Sequence, residues 1–152
     1  MNKILHADAT DVAEILELQK LAYQSEAAIY EDWFIPPLTQ TLDEIRKEFD
    51  KMTFLKVCDS GKIIGSVRAS VHDGTCEIGR LFVHPDFQHK GIGSQLMAVI
   101  EAEFPSVRRF ALFTGRRSVG NIRLYEGLGY RIFCTDRLSA QVELVFMEKQ
   151  RK

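Results

Sequence analysis

The sequence predicts a mixed α/β (α+β) fold, one domain over residues 1–152, with a largely antiparallel sheet of six to seven strands flanked by about four helices. Three observations carry that reading. Between residues 52 and 84 three strand-like runs follow one another with only tight turns between them, and Asp73-Gly74 in the second turn is a strong hairpin signal. A glycine-rich turn, Gln88-His89-Lys90-Gly91-Ile92-Gly93-Ser94, then joins the third strand to a strongly helical run. After that helix the pattern is strand, helix, strand, strand. The order is therefore β-α-α-β-β-β-α-β-α-β-β, with a meander in the middle instead of βαβ units.

Residues 3–7 can form a first strand. Thr10-Asp11 reads as a helix start, because Asp11 and Glu14 have the spacing of a capping box. Val12, Ile15, Leu16, Leu18, Leu21, Ala22 and Tyr23 then give a wide apolar stripe, read as core. From Glu26 to Gln40 no period holds: Ile29, Tyr30, Trp33, Phe34 and Ile35 mix with Glu26, Glu31 and Asp32. Pro36-Pro37 excludes a helix interior or a central strand there, so this stretch is expected to be an aromatic and acidic loop. It could wall a substrate pocket, which makes Tyr23, Glu26, Tyr30 and Trp33 candidate substrate residues, or lie on the core as a surface loop. Thr41 and Glu44 form a second capping box, opening a short helix to about Phe49.

The three meander strands are expected at 52–59, 63–72 and 75–84. The helix at 91–104 buries Ile92, Leu96, Val99, Ile100 and Phe104, and Pro105 ends it. A strand at 109–114, a helix at 118–128 closed by Gly127 and Gly129, and strands at 130–136 and 141–148 complete the chain.

Bulk properties exclude several classes. A chain of 152 residues can bury a real core, and 45% hydrophobic with 27% charged residues is ordinary for a globular protein. The net charge of -1 gives no argument for nucleic acid. Cys58, Cys76 and Cys134 are odd in number and widely spaced with no CxxC pair, so free thiols in a reducing cytosol are expected, and with them a cytoplasmic location. The first residues lack the apolar stretch of a signal peptide, and no apolar run approaches the roughly 18 residues that span a membrane. His72, Cys76, His84 and His89 fit no zinc spacing, so no metal is expected.

The glycine turn is the chemical centre. Free backbone N–H groups at a helix N-terminus form an anion site, and phosphate is its usual occupant. A P-loop needs G-x-x-x-x-G-K-[ST], which is absent. A dinucleotide fingerprint needs G-x-G-x-x-G; Gly91-Ile92-Gly93-Ser94-Gln95-Leu96 fails at the third glycine, and the preceding meander is the wrong context. The pattern Q/R-x-x-G-x-G/A after a strand is met in full by Gln88, Gly91 and Gly93.

Around that motif stand Glu-Ile-Gly-Arg-Leu-Phe-Val-His-Pro before it and Asn121-Ile-Arg-Leu-Tyr125-Glu-Gly-Leu-Gly-Tyr130 after it. With these surroundings the chain resembles the GNAT superfamily of N-acyltransferases, over essentially its whole length. The resemblance implies that Gln88, His89, Lys90, Gly91, Ile92, Gly93 and Ser94 hold the pyrophosphate of acetyl-CoA. It implies that Leu81, Phe82 and Val83 form a strand splaying from its neighbour and pairing with pantetheine, and that the N–H of Phe82 or Val83 polarises the thioester carbonyl. It further implies Asn121 as a CoA contact, which could equally be a local helix cap, and Tyr125 as the general acid for the departing thiolate, which could equally be a satisfied core tyrosine. Glu77 is the candidate base, with an ordinary solvent-facing carboxylate as the alternative; Glu26 and Tyr23 are weaker second candidates.

The activity so implied is transfer of acetyl from acetyl-CoA to a primary amine by direct attack. A non-catalytic acyl-CoA-binding or sensor module of the same fold is the alternative. The acceptor expected is a small-molecule or peptide amine, with no nucleic-acid or membrane partner, and the family often dimerises.

Overall fold

The structure, a computed structural model, describes residues 2–151; Met1 and Lys152, the two ends of the expected domain, lie outside the described residues. In chain order the elements are β1 (Ile4–His6), α1 (Val12–Ala22), α2 (Gln24–Tyr30), α3 (Pro36–Thr39), α4 (Leu42–Lys51), β2 (Thr53–Asp59), β3 (Lys62–His72), β4 (Thr75–Val83), α5 (Ile92–Ala102), β5 (Arg109–Gly115), α6 (Val119–Gly127), β6 (Arg131–Arg137) and β7 (Glu143–Gln150). The strands form one seven-stranded sheet in the order β1-β2-β3-β4-β5-β7-β6. Every neighbouring pair is antiparallel except β4 and β5, which are parallel.

That parallel pair is short. Thr75, Cys76 and Glu77 pair with Arg109, Phe110 and Ala111, and there the pairing stops. Beyond it β4 and β5 diverge, and the sheet opens into a V between residues 78–83 and 112–115. A bulge in β4 accompanies the divergence. Arg68 faces Gly79 and Ser66 faces Phe82, so Arg80 and Leu81 together oppose the single residue Val67. One extra residue turns the following side chains to the other face of the sheet. Ile78 accordingly packs with the α5 cluster and Phe82 with the α1 cluster.

The core lies on both faces. Leu96, Met97 and Ile100 of α5 and Tyr125 of α6 pack with Leu55, Val57, Val67, Cys76, Phe110 and Met147. On the other face Val12, Ile15 and Leu16 of α1 and Ile45 of α4 pack with Phe54 and Phe82. Each such aliphatic side chain, fully buried, contributes about 1.5–3 kcal/mol. Gly65 sits where β3 passes under α5; an added Cβ would lie 2.9 Å from Val57 Cγ1 and 3.3 Å from Leu96 Cδ1.

Two local readings are corrected. The stretch expected to be a loop between Glu26 and Gln40 contains α2 and the single turn α3. Pro36 and Pro37 occupy the first helical positions of α3, where proline's missing N–H has no partner to lose. The helix count therefore exceeds the expected four. The first capping box is Asp8 with Asp11, closing a 3₁₀ turn ahead of α1. Glu14 is used elsewhere: its carboxylate accepts the Ile63 N–H at 2.8 Å, tying α1 to β3. The box at Thr41 and Glu44 is present as expected.

A buried polar network locks the helices on the α1 face. Arg68, 1% exposed, donates from Nη1 to Glu48 Oε1 at 2.7 Å and from Nη2 to Gln19 Oε1 at 2.6 Å. Gln19 Nε2 donates to Pro37 O and Gln40 Oε1, both at 2.9 Å, and Gln40 Nε2 donates to Glu48 Oε2 at 2.7 Å. A buried charge must be paired and hydrogen-bonded to be tolerated. Here that requirement fixes α3 against α1, α4 and β3.

Candidate functional site

Two cavities meet where the sheet opens. The first, about 400 Å³, is lined by Leu81–Val83 of β4, by Gln88, His89 and Gly91–Ser94, and by Gly120, Asn121 and Leu124 of α6. The second, about 410 Å³, runs between α2, α3, β4, β5 and α6 to the β6–β7 turn. Tyr23, Glu26, Leu81 and Asn121 line both, so the two cavities share one junction.

The first cavity has the features of an anion cradle. Gly91 is the N-cap of α5 and sits at φ 83, a left-handed backbone that glycine adopts without strain. The first intrahelical bond runs from Gln95 N–H to Gly91 O at 3.1 Å. The N–H groups of Ile92, Gly93 and Ser94 thus have no acceptor in the helix and carry the positive end of its dipole. A Cβ on Gly93 would project between Leu124 Cδ2, at 3.6 Å, and Leu81 Cδ2, at 3.9 Å, two side chains that line the cavity. His89 also has a left-handed backbone, φ 63. Lys90 does not line the cavity; its ammonium stands 5.4 Å from the centre of the Phe87 ring.

The open edge of β4 supplies a second set of backbone groups. His84 N–H donates to Ile64 O on β3 at 2.7 Å. Along an antiparallel strand the N–H groups alternate between edges. Phe82 N–H therefore faces β3, while those of Leu81 and Val83 face the cleft. Gln88 Nε2 donates to Val83 O at 3.2 Å, in keeping with that alternation. Of the two donors expected for a thioester carbonyl, Val83 is on the open edge and Phe82 is not.

At the junction, Glu26 is held by Ser118, the N-cap of α6, and by Asn121 within that helix. Ser118 Oγ donates to Glu26 Oε2 at 2.5 Å, and Asn121 Nδ2 donates to Glu26 Oε1 at 2.9 Å. Ser118 gives its only proton to Glu26, so Tyr30 is the donor in the 2.7 Å contact between Tyr30 OH and Ser118 Oγ. Arg117 N–H donates to Tyr30 OH at 3.0 Å. A directed chain, Arg117 N–H to Tyr30 to Ser118 to Glu26, thus orients the carboxylate. Gly115 makes room for it: a Cβ there would lie 1.9 Å from the Tyr30 hydroxyl oxygen.

Tyr125, one helical turn after Asn121, is buried and lines the second cavity. Burial holds its phenol above the ordinary tyrosine range, with the nearby Tyr23 and Glu26 adding to the effect. Tyr23 is raised too, by burial first, against the lowering influence of Arg80 and Arg68.

Other candidates are not brought to the junction. Glu77 lines neither cavity; it is exposed, with its carboxylate 3.8 Å from His72 Nε2. Alternation explains this, since its neighbours Cys76 and Ile78 take the buried face. Trp33 is 52% exposed and lines neither cavity, because α2 ends at Tyr30 and the chain turns outward through Glu31, φ 51. Cys76 is buried with its thiol pushed up to about 12 by desolvation, and Cys134 is exposed on β6. Among the described residues no group of three or more His, Cys, Asp or Glu could hold a metal ion, and no helix is long and apolar enough to cross a membrane.

The site also uses residues not singled out from sequence: Arg68, Arg80, Gly115 and Ser118. Gly79 inside a strand pattern was the available signal for a bulge next to Arg80.

A parallel strand pair splays beside an anion cradle, with a second cavity behind it. The chain belongs to the acetyltransferase (GNAT) family, whose family model matches residues 12–130. The UPF0157 protein YqkA of Bacillus subtilis (strain 168) is 29% identical over 126 residues, a match that takes in 83% of this chain and 36% of YqkA. The chain therefore spans about a third of that curated relative. The fold is shared with the PaiA N-acetyltransferase of Thermoplasma acidophilum in complex with coenzyme A (21% identity, 99% of each chain, TM-score 0.76). It is shared equally with yncA of Salmonella typhimurium with its cofactor acetyl-CoA (22% identity, 99% of this chain and 94% of that one, TM-score 0.76).

Proposed function

We propose that the protein is an N-acetyltransferase that moves acetyl from acetyl-CoA to a primary amine by direct attack within a ternary complex. The single observation that carries this is the junction: a cavity with an anion cradle opens onto a second cavity through Tyr23, Glu26, Leu81 and Asn121. Both substrates can then be present at once, and no covalent enzyme intermediate is needed.

In this reading the N–H groups of Ile92, Gly93 and Ser94 bind the pyrophosphate, with Gln88 and His89 at the rim. The open edge of Leu81 and Val83 pairs with pantetheine, and one of their N–H groups donates to the thioester oxygen. A donor aimed at the developing oxyanion is worth roughly 3 kcal/mol in the transition state. An acceptor amine with pKa about 10.4 arrives as an ammonium ion. Glu26, directly or through a water, takes one proton, and the neutral nitrogen attacks the carbonyl carbon. The C–N bond forms, the C–S bond breaks with its electron pair going to sulfur, and Tyr125 protonates the thiolate. Glu26 releases the first proton to solvent and then takes the second nitrogen proton, which re-protonates Tyr125 by way of solvent. The balance is ammonium plus thioester giving amide, thiol and one released proton. What supports this role for Tyr125 is its place in the lining of the second cavity, one helical turn after Asn121 at the junction.

The test is thiol release from acetyl-CoA over a broad panel of amines, with Tyr125→Phe alongside. Release is expected with at least one amine class, and the variant should lose about 10²–10⁴-fold in kcat while binding CoA normally. Saturable CoA binding with no thiol release for any amine would identify a sensor module instead.

A further inference from the structure

Four charged side chains line the second cavity: Glu26, Glu48, Arg68 and Arg80. Two of them neutralise each other, since Arg68 and Glu48 form a 2.7 Å ion pair. Glu26 is held by the neutral donors Ser118 and Asn121. Arg80 makes no ion pair with any carboxylate among the described residues, and its Nη1 is buried without a hydrogen-bond partner. One anion and one cation are thus left facing the same cavity.

The backbone gives a second, independent observation. Arg80 is a non-glycine residue in the left-handed region, φ 50, at the bulge between Gly79 and Leu81. Such a conformation is disfavoured for an L residue and persists only where the surroundings impose it. A bulge re-aims a side chain, and here it sets Arg80 in the lining of a cavity whose other walls include Ile35, Pro36, Leu112, Val142 and Leu144. A buried, unpaired arginine nitrogen is costly in such surroundings, and the partner that fits its planar fork is a carboxylate.

We infer that the acceptor is a zwitterion, an amine that also carries a carboxylate on an apolar body, with Arg80 binding the carboxylate and Glu26 receiving the ammonium group. An apolar amino acid is the simplest molecule of this class. The remaining charges match it sign for sign, and the apolar walls accept its side chain. The ammonium half rests on the transferase reading above; the carboxylate half does not, and can be measured without turnover.

The experiment has two arms. In the first, 3-phenylpropionate and its uncharged counterpart 3-phenylpropanol are titrated into CoA-loaded wild type and Arg80→Met, followed by calorimetry. Wild type is expected to bind the carboxylate roughly 10- to 100-fold more tightly than the alcohol, a preference that Arg80→Met abolishes. Thermal protection by CoA alone serves as the folding control for the variant. Equal binding of acid and alcohol by wild type, or an acid preference that survives Arg80→Met, overturns the inference. In the second arm, thiol release is compared for L-phenylalanine and 2-phenylethylamine. A kcat/KM preference for the amino acid that collapses in Arg80→Met supports the inference; a preference for the decarboxylated amine overturns it. Arg80-dependent carboxylate binding without thiol release from any amine would uphold the carboxylate site and remove the transferase reading, so the two fail separately.

Discussion

Gly93→Asp should act in opposite directions on stability and on CoA binding. In the free protein an added Cβ at 93 meets Leu124 Cδ2 at 3.6 Å and Leu81 Cδ2 at 3.9 Å, ordinary van der Waals distances, so nothing need move. Gly93 lies in the first turn of α5, where a carboxylate meets the positive end of the helix dipole, worth about 0.3–1 kcal/mol. For a chain of this size that is a rise in Tm of about 4 °C at most. The same side chain enters the cavity between two of its lining side chains, on the face where the N–H groups of Ile92 to Ser94 are free. There the carboxylate competes with phosphate for those donors: losing one hydrogen bond to a charged phosphate costs about 1.5–3 kcal/mol, or roughly 10- to 150-fold in Kd, and like-charge repulsion adds to it. The assay is calorimetric titration with CoA together with a thermal melt of the free protein. A variant at least as stable as wild type that binds CoA at least 10-fold more weakly fits the cradle, where the motif admits glycine or alanine at this position but no acid. Unchanged CoA affinity in a folded Gly93→Asp protein would refute the placement of pyrophosphate on this turn.

Two further outcomes follow from the packing and the buried tyrosines. Gly115→Ala drives a methyl into the Tyr30 ring, with 1.9 Å to the hydroxyl oxygen and 2.4 Å to Cζ, so overpacking should cost about 1–3 kcal/mol in urea unfolding. Displacing Tyr30 also breaks its donation to Ser118, so this variant should lose turnover beyond its stability loss, read as kcat well below the unfolding midpoint. Tyr23, Tyr125 and Tyr130 all have phenols raised by burial, Tyr130 also by its bond to Glu101. Below pH about 10 they are protonated both folded and unfolded and contribute no pH dependence. Above it the unfolded chain releases protons that the folded chain retains, so stability should fall by roughly 1.4 kcal/mol per pH unit for each tyrosine. Urea midpoints from pH 8 to 11 check this: a flat profile up to 11 would contradict the burial of these hydroxyls, and Tyr125→Phe should make the decline shallower.

The cradle was legible in the sequence because every part of it is local. A strand, a glycine turn and a helix start are contiguous, and the groups left free there are backbone N–H donors, which depend on chain geometry more than on distant neighbours. Gly91 had to be glycine for its φ, and Gln88 to Ser94 could be read in order without knowing the sheet. The strand meander and both late strands were legible for the same reason, as period-two runs bounded by turn residues. The stretch from Glu26 to Gln40 was not. Its helices are short, its apolar residues face several partners at once, and α3 with its C-cap Gln40 is held by Gln19, Glu48 and Arg68 from three other elements.

Which carboxylate reaches the junction was likewise undecidable from sequence. Glu77 and Glu26 are equivalent as residue types. Strand alternation beside Cys76 and Ile78 turns Glu77 to solvent, and the fold carries Glu26 across 92 positions to Ser118. The sequence by itself determined the glycine turn, the strand that precedes it and the family. Only the tertiary structure decided the second cavity, because that cavity is made where β4 and β5 stop pairing. A one-residue bulge at Arg80, signalled locally only by Gly79, chooses the side chain that faces it.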